Sequence, residues 1–345
     1  AAGLQQLQAG VLGQVAAAVA MADLSDPTQN PFLGLQALQF LPQMLELHNA
    51  ADDGTSADEK FTYTASINHE FSDQLNVYLT YATGYKATSW NLSRDTRPTQ
   101  GEYDALVSAG VALPNNLTIG TRLAGPEESE VLELGIKYNA QWGYINAAFF
   151  NQTIEGFQSN VFTGAGFNLA NAGEQSVDGV EVDVMLRPTE RLSLGVSGTY
   201  LDPFYDAFVG ANVGGAAEES SGTRPGGIPE LTLSLIGSYD FTIMGMDAWI
   251  QADYRYDKEV DIQDGGDQSA SNILLETTGS RTREVGLLNA SVGIAKNGWE
   301  FRVWGRNLTN DEYLITWFPS VAQTGSFSGY PNQPRMWGAS IRKSF

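Results

Sequence analysis

The chain has 345 residues, with 40 acidic against 19 basic side chains for a net charge of −21, and no cysteine. So acidic a chain would be repelled by nucleic acid, where counterion release drives association. Lack of cysteine removes disulfides, thiolate zinc sites and cysteine nucleophiles.

In residues 1–60, Leu4, Leu7, Val11, Val15 and Val19 fall at helical spacing before Asp26-Pro27 and Asn30-Pro31 break the chain. A second apolar stretch, Phe32 to Leu47, holds Leu35, Leu38 and Leu41 before Pro42. This spacing predicts an elaborate loop region over 1–60 with one or two short helices. No run reaches the ~18 apolar residues of a membrane-spanning helix. The segment also lacks the basic start of a secretory signal, since its first cation is Lys60.

From residue 61 the period becomes two. Strands are predicted over 62–71, 74–85, 131–138, 144–155, 177–186, 192–200, 231–240, 247–256, 287–295, 299–308 and 334–345. Leu132, Leu134, Ile136 and Tyr138 oppose Glu133 and Lys137, and Val180, Val182, Val184 and Leu186 oppose Glu181 and Asp183. Leu192, Leu194 and Val196 alternate with serine and glycine, as do Leu231, Leu233 and Leu235 with threonine, serine and isoleucine. Such alternation gives each strand one apolar and one wet wall.

The connections alternate too. Short turns at 71–73, 139–141, 187–191, 242–245 and 296–298 separate long loops at 87–129, 156–175, 201–229, 257–285 and 309–333. Short turns on one side and long loops on the other are the pattern of an outer-membrane barrel. A soluble sandwich would have connections of more uniform length. Tyr81, Tyr85, Tyr138, Tyr200, Tyr239, Tyr254, Tyr256, Trp299, Phe301 and Phe345 fall near strand ends on the apolar face. Such rings suit the two membrane interfaces.

Several segments carry a family resemblance. Tyr81-Ala82-Thr83-Gly84-Tyr85-Lys86, Glu133-Leu134-Gly135-Ile136-Lys137 and Asn168 to Asp183 are three of them. Most specific are Trp304-Gly305-Arg306-Asn307-Leu308-Thr309-Asn310-Asp311-Glu312-Tyr313 and Pro334-Arg335-Met336-Trp337-Gly338. Together they resemble the TonB-dependent outer-membrane receptors, active transporters with a 22-stranded barrel and an N-terminal plug. These signatures read mainly as folding features, in which glycine allows close strand packing and the Asn-Leu-Thr-Asn run is turn chemistry. The last strand places Trp337, Ala339, Ile341 and Phe345 on one face, with Lys343 interrupting it. By the resemblance, that face is a signal to the barrel assembly machinery.

Eleven is an odd strand count, so closing the chain on itself would pair its first and last strands in parallel. Bacterial single-chain barrels have even counts, and lipid does not tolerate open edges. The expected fold is therefore all-β, a transmembrane antiparallel β-barrel in which residues 61–345 form the C-terminal half. The plug and first half would lie outside this chain. The resemblance implies an outer-membrane transporter that captures a scarce small-molecule or metal-chelate ligand, by default a ferric siderophore. Energy would come from the TonB–ExbB–ExbD complex through the plug. Porin-like diffusion and surface adhesion are the competing readings. An outer-membrane hydrolase is disfavoured, because His48 and His69 have no serine–acid arrangement near them in sequence.

Loops on a rigid scaffold are natural binding elements. The candidate ligand contacts are Trp90, Arg94 and Arg97 in one loop, with Arg122, Arg224, Arg281 and Arg283 in later ones. An arginine fork grips carboxylates or the anionic groups of a ferric chelate. Asp257, Glu259, Asp261, Asp264 and Asp267 bring carboxylates close in sequence, but without calcium-loop spacing they read as a solvated loop. No catalytic residue, cofactor or resident metal is expected, and membrane lipid is an expected partner.

Overall fold

The computed structural model describes residues 55–90, 104, 108, 123–162, 167–213, 216–262, 281–319 and 327–345. The helices expected within 1–60 fall outside these, as do Arg94, Arg97, Arg122, Asp264 and Asp267. In chain order the strands are β1 (Thr64–Glu70), β2 (Leu75–Lys86), β3 (Ser89–Trp90), β4 (Leu123–Ala124), β5 (Glu127–Ala140) and β6 (Gly143–Phe162). Then come β7 (Phe167–Thr189), β8 (Leu192–Ala207), β9 (Val209–Val213), β10 (Ala216–Glu219), β11 (Leu231–Ile243) and β12 (Met246–Asp261). The last are β13 (Thr282–Lys296), β14 (Trp299–Arg306), β15 (Leu314–Pro319), β16 (Phe327–Pro331) and β17 (Met336–Lys343).

Eleven of these form one antiparallel sheet, in the order β1-β2-β5-β6-β7-β8-β11-β12-β13-β14-β17. The other six make three two-stranded sheets within the long connections. Tight turns set the register. Met244-Gly245 and Asn297-Gly298 all have positive φ, the two-residue turn whose twist matches that of paired strands. The four-residue turn after β1 is closed by the Ser72 hydroxyl, which accepts from the Leu75 amide at 3.1 Å.

All eleven predicted strands are present, and several run further toward the long-loop side. The segment 156–175, expected as a loop, is mostly the far end of the β6–β7 hairpin, with Phe157 opposite Ala172 and Asn160 opposite Leu169. Alternation of hydrophobicity ends there because the strands have left the apolar layer, while their hydrogen-bond ladder continues.

Register aligns the apolar walls. Ile67, Leu79, Leu134, Phe149, Val180, Tyr200 and Leu231 stand side by side across seven strands. Leu192, Tyr239, Ile250, Val292, Val303 and Ala339 continue the band to β17. Leu79, Leu134, Phe149 and Tyr200 are 41–46% exposed. Large apolar side chains left open in a continuous band mark a face that meets lipid rather than water.

The opposite wall is polar and holds a recurrent packing device. Tyr78, Phe150, Trp249 and Trp304 lie directly opposite Gly135, Gly179, Gly293 and Gly338 on the neighbouring strand. Each ring lies down over its glycine, so that a Cβ added there would overlap ring carbons. Gly179→Val or Gly293→Val should lift the ring from the wall and cost about 1–3 kcal/mol by overpacking. Gly237, whose added Cβ would meet Leu194 Cδ2 at an ordinary 3.5 Å, should accept alanine nearly without cost. Gel mobility of unboiled samples after graded heating checks this: the valine variants should lose the folded band at a lower temperature than Gly237→Ala.

Candidate functional site

Above the long-loop ends of β12, β13 and β14, residues 307–319 and 327–335 fold back over the polar wall. Its foundation is Asn307, which is buried and held at φ 49. The Asn307 amide donates to Asn289 Oδ1 at 2.9 Å, and its side-chain Nδ2 donates to the Asp311 and Gln333 carbonyls at 2.9 and 3.0 Å. Its Oδ1 accepts from the Asp311 amide at 2.8 Å. Asp311 Oδ2 in turn accepts from the Gly286 amide, and Thr309 Oγ1 donates to the Gly286 carbonyl. The Asn-Leu-Thr-Asn run is thus turn chemistry, and it bolts the loop to the sheet.

The loop then forms the β15–β16 hairpin. Trp317 and Ile262 pack together in a small buried cluster, with Leu314 and Phe327 against them. Arg283 Nη1 donates to the Ile315 carbonyl at 2.7 Å, and Nη2 reaches the Gly227 carbonyl at 3.3 Å. Below, Asp257 is only 2% exposed and is gripped by both forks of Arg255, at 2.9 and 2.7 Å. Burial pushes the nearby Tyr313 phenol upward, an effect eased by the Arg255 charge.

Beneath the hairpin lies a cleft of about 750 Å³. Its wall side carries Gln251, Asp253, Asn289, Ser291, Arg302 and Arg306, and its roof includes Tyr313, Ile315 and Asn332. Asn289 Nδ2 donates to Asp253 Oδ2 at 2.7 Å, and this one carboxylate faces two arginines across the cleft's lining. Arg302 Nη2 donates to Ser291 Oγ at 3.0 Å, whereas its Nε is buried without a partner among the described residues. The Arg306 guanidinium lies 5.4 Å from the centre of the Trp304 ring. Two guanidinium groups, amide side chains and an indole in one partly roofed space suit an anionic, partly aromatic ligand.

A second braced region stands over β5–β8. Gln158 is buried. Its Nε2 donates to the Ala87 and Gly125 carbonyls at 2.9 and 2.8 Å, and its Oε1 accepts from Ser89 Oγ at 2.5 Å. Tyr205 and Phe208 pack edge to face at 4.9 Å, with Phe157 against them. The connections here are hydrogen-bonded and packed extensions of the wall.

Of the expected ligand contacts, Arg94, Arg97 and Arg122 lie outside the described residues, and the four that are described stand apart from the cleft's lining. Trp90 lies in β3 and donates its indole N–H to Ser56 Oγ at 3.1 Å. Arg224 is ion-paired with Asp202 and stands 3.8 Å from Glu230, with its guanidinium 4.8 Å over the Phe204 ring. The Lys258 ammonium, also bonded to Glu230, is the main cause that holds this carboxyl below its ordinary value. Arg281 is exposed, and its carbonyl accepts from the Ile262 amide at 3.1 Å. Arg283 anchors the hairpin. Of the acidic run, Asp257 is committed to Arg255. His69 sits on the apolar face at the short-turn end, with its ring edge-on to Phe71 at 4.4 Å. Arg302, Arg306 and Asn289 were not legible as site residues, because they belong to predicted strands and the roof residues Tyr313, Ile315 and Asn332 come from a later loop.

Removing the hairpin's anchor gives a direct check. Arg283→Ala deletes both carbonyl contacts, and Asn307→Ala leaves buried partners unsatisfied at about 1–3 kcal/mol. Brief protease treatment should cut within 314–331 at least several-fold faster in either variant than in the unaltered protein, with the sheet strands still protected.

The TonB dependent receptor-like, beta-barrel family profile matches residues 44–308. Among solved structures, the ferric yersiniabactin uptake receptor FyuA from Yersinia pestis aligns with TM-score 0.62 and 19% identity, covering 85% of this chain and 38% of its own. The siderophore receptor PiuA from Acinetobacter baumannii gives 0.54 and 18%, covering 81% and 35%. The copper transporter OprC gives 0.57 and 13%, covering 87% and 41%. The chain therefore spans about two fifths of the length of these structures, and at such identities the likeness is one of fold. It matches no curated protein at a significant level.

Proposed function

Because the chain belongs to the TonB dependent receptor-like, beta-barrel family, whose members reside in the outer membrane of Gram-negative bacteria, we propose that it supplies part of the barrel of an active outer-membrane transporter. The observation that carries this reading beyond the family is the roofed cleft on the polar wall. A rigid sheet with one lipid-facing wall holds, on its other wall, a cationic recess beneath an inward-folded hairpin. That recess is a place to capture a ligand on the inner wall, which supports transport over adhesion.

The sheet is proposed as the C-terminal half of a larger barrel, with residues 1–60 as a loop region ahead of it. β1 and β17 are its edges, and with eleven antiparallel strands they run in the same direction. They cannot join antiparallel, so an odd number of further strands is needed to close the ring. A plug and the TonB complex belong to this proposal, as do outer-membrane lipid against the apolar wall and assembly machinery reading Trp337, Ala339, Ile341 and Phe345.

A ferric siderophore is the proposed cargo. The names of FyuA and PiuA support that choice, and the Arg302–Arg306 pair supports an anionic chelate over a bare metal ion. A bare cation would be repelled by two guanidinium groups.

In cells expressing the intact protein, uptake from a panel of iron-55 siderophore complexes should stop when a protonophore collapses the proton-motive force. Undiminished uptake would favour passive diffusion and sink the reading. Arg302→Ala and Arg306→Ala should each weaken binding of the transported complex by about 10-fold or more, the worth of one charge-assisted bond, while leaving the folded gel band intact. Phe345→Ala should lower the amount of folded protein in the outer membrane, which immunoblotting of membrane fractions reads.

A further inference from the structure

We propose that the short-turn rim of β13, β14 and β17 holds one anionic phospholipid, its phosphate gripped by Lys296 and Lys343 beside Trp299. The inference deepens the reading that the apolar wall faces lipid, and rests on it. In register, Lys296 lies opposite Trp299, and Trp299 lies opposite Lys343. All three belong to the apolar wall, so two ammonium groups flank one indole on three adjacent strands.

Each lysine is placed by this neighbourhood. Lys343 Nζ donates to the Asn297 carbonyl at 2.8 Å and lies 5.0 Å from the centre of the Trp299 ring. Lys296 has no hydrogen-bond or ion-pair partner among the described residues, and its Nζ reaches over the neighbouring turn to within 3.8 Å of where a Gly245 Cβ would stand. Beside them is a notch of about 180 Å³ floored by Met246, Ile294, Phe301 and Ile341. Cations at the headgroup level with an apolar slot beneath them match a phosphate and the start of an acyl chain.

The charges around the notch do not cancel this pair. Glu300 borders it but belongs to the polar wall, where it stands opposite Arg342. Asp247 also belongs to the polar wall, opposite Ala295. At the other end of the apolar wall Asp178 stands opposite Asp202, and the cations there are already paired, Arg224 with Asp202, Lys258 with Glu230 and Lys60 with Glu128. Lys296 and Lys343 thus stand at the short-turn end with no carboxylate partner among the described residues, where anionic headgroups of the inner leaflet would meet them.

Native mass spectrometry of the purified protein tests the site. The protein is equilibrated with equimolar phosphatidylglycerol and phosphatidylcholine in mixed micelles. The unaltered chain should retain one phosphatidylglycerol in preference to phosphatidylcholine, and excess inorganic phosphate should not displace it. Lys296→Gln with Lys343→Gln should cut retention by about fivefold per charge removed, and Lys296→Arg with Lys343→Arg should keep it. Lys137→Gln, on the polar wall, should change nothing. Equal retention of both lipids by the unaltered protein would overturn the proposal without needing any variant. So would undiminished retention in the glutamine pair, or displacement by free phosphate. Transport plays no part in the readout, so its failure leaves the transporter reading standing.

Discussion

The antiparallel hydrogen-bond ladder is the constraint on which everything else in the molecule depends. Lipid offers no partner for a backbone N–H or C=O, so a chain crossing it by strands must pair each strand on both sides. That requirement fixes the meander of β1 to β17, the two-residue turns at Met244-Gly245 and Asn297-Gly298, and the strict alternation of the side chains. It also makes the two free edges the sheet's unsatisfied feature. Few described residues form a buried apolar core, and those that do lie largely in the loop extensions. Stability therefore comes from the ladder and from lipid on the apolar wall, with the internal clusters serving mainly to shape the loops.

A wall built this way has little freedom on its lipid side, so chemical variety collects on the other. There the aromatic-on-glycine pairs keep rings flat against the sheet and leave space above it. The same wall supplies Arg302 and Arg306 from β14, with Asn289 from β13 pinned by Asp253 from β12. The roof over them depends on a different device, the asparagine hub at 307. One residue in left-handed conformation turns the chain back and satisfies four polar groups at once. Strands place the cleft's cations, and the turn after β14 decides that they are covered.

Much of the fold was legible because each strand carries its own signal. Leu132 to Tyr138 or Leu192 to Tyr200 declare both strand and face without reference to any neighbour. The upper half of the β6–β7 hairpin was not legible, because outside the lipid its outward residues no longer need to be apolar. Asn151 and Asp178 mark where that change occurs, joined by a hydrogen bond of 2.8 Å. The cleft was legible only in part. Loop arginines are conspicuous in sequence, yet Arg224 is spent on Asp202 and Glu230, and Arg283 on two carbonyls. Nothing local distinguishes those arginines from Arg302, whose place in the cleft wall follows from long-range register and a folded-back loop.

The net charge of −21 takes on a spatial meaning once the walls are assigned. On the polar wall, Glu133, Glu181 and Asp183 gather on β5 and β7, with Lys137 among them, while Arg302, Arg306 and Arg342 gather on β14 and β17. Those two groups lie at opposite sides of the sheet, separated by β8, β11, β12 and β13. The cleft's two arginines outnumber its one lining carboxylate, Asp253, so the field along it favours an anion. An anion at the mouth is therefore pushed from the β5–β7 side and drawn toward β14, where the hairpin closes over the cleft. The acidic excess thus acts in the same direction as the few cations, because it leaves the arginine side as the favourable place for negative charge on this wall.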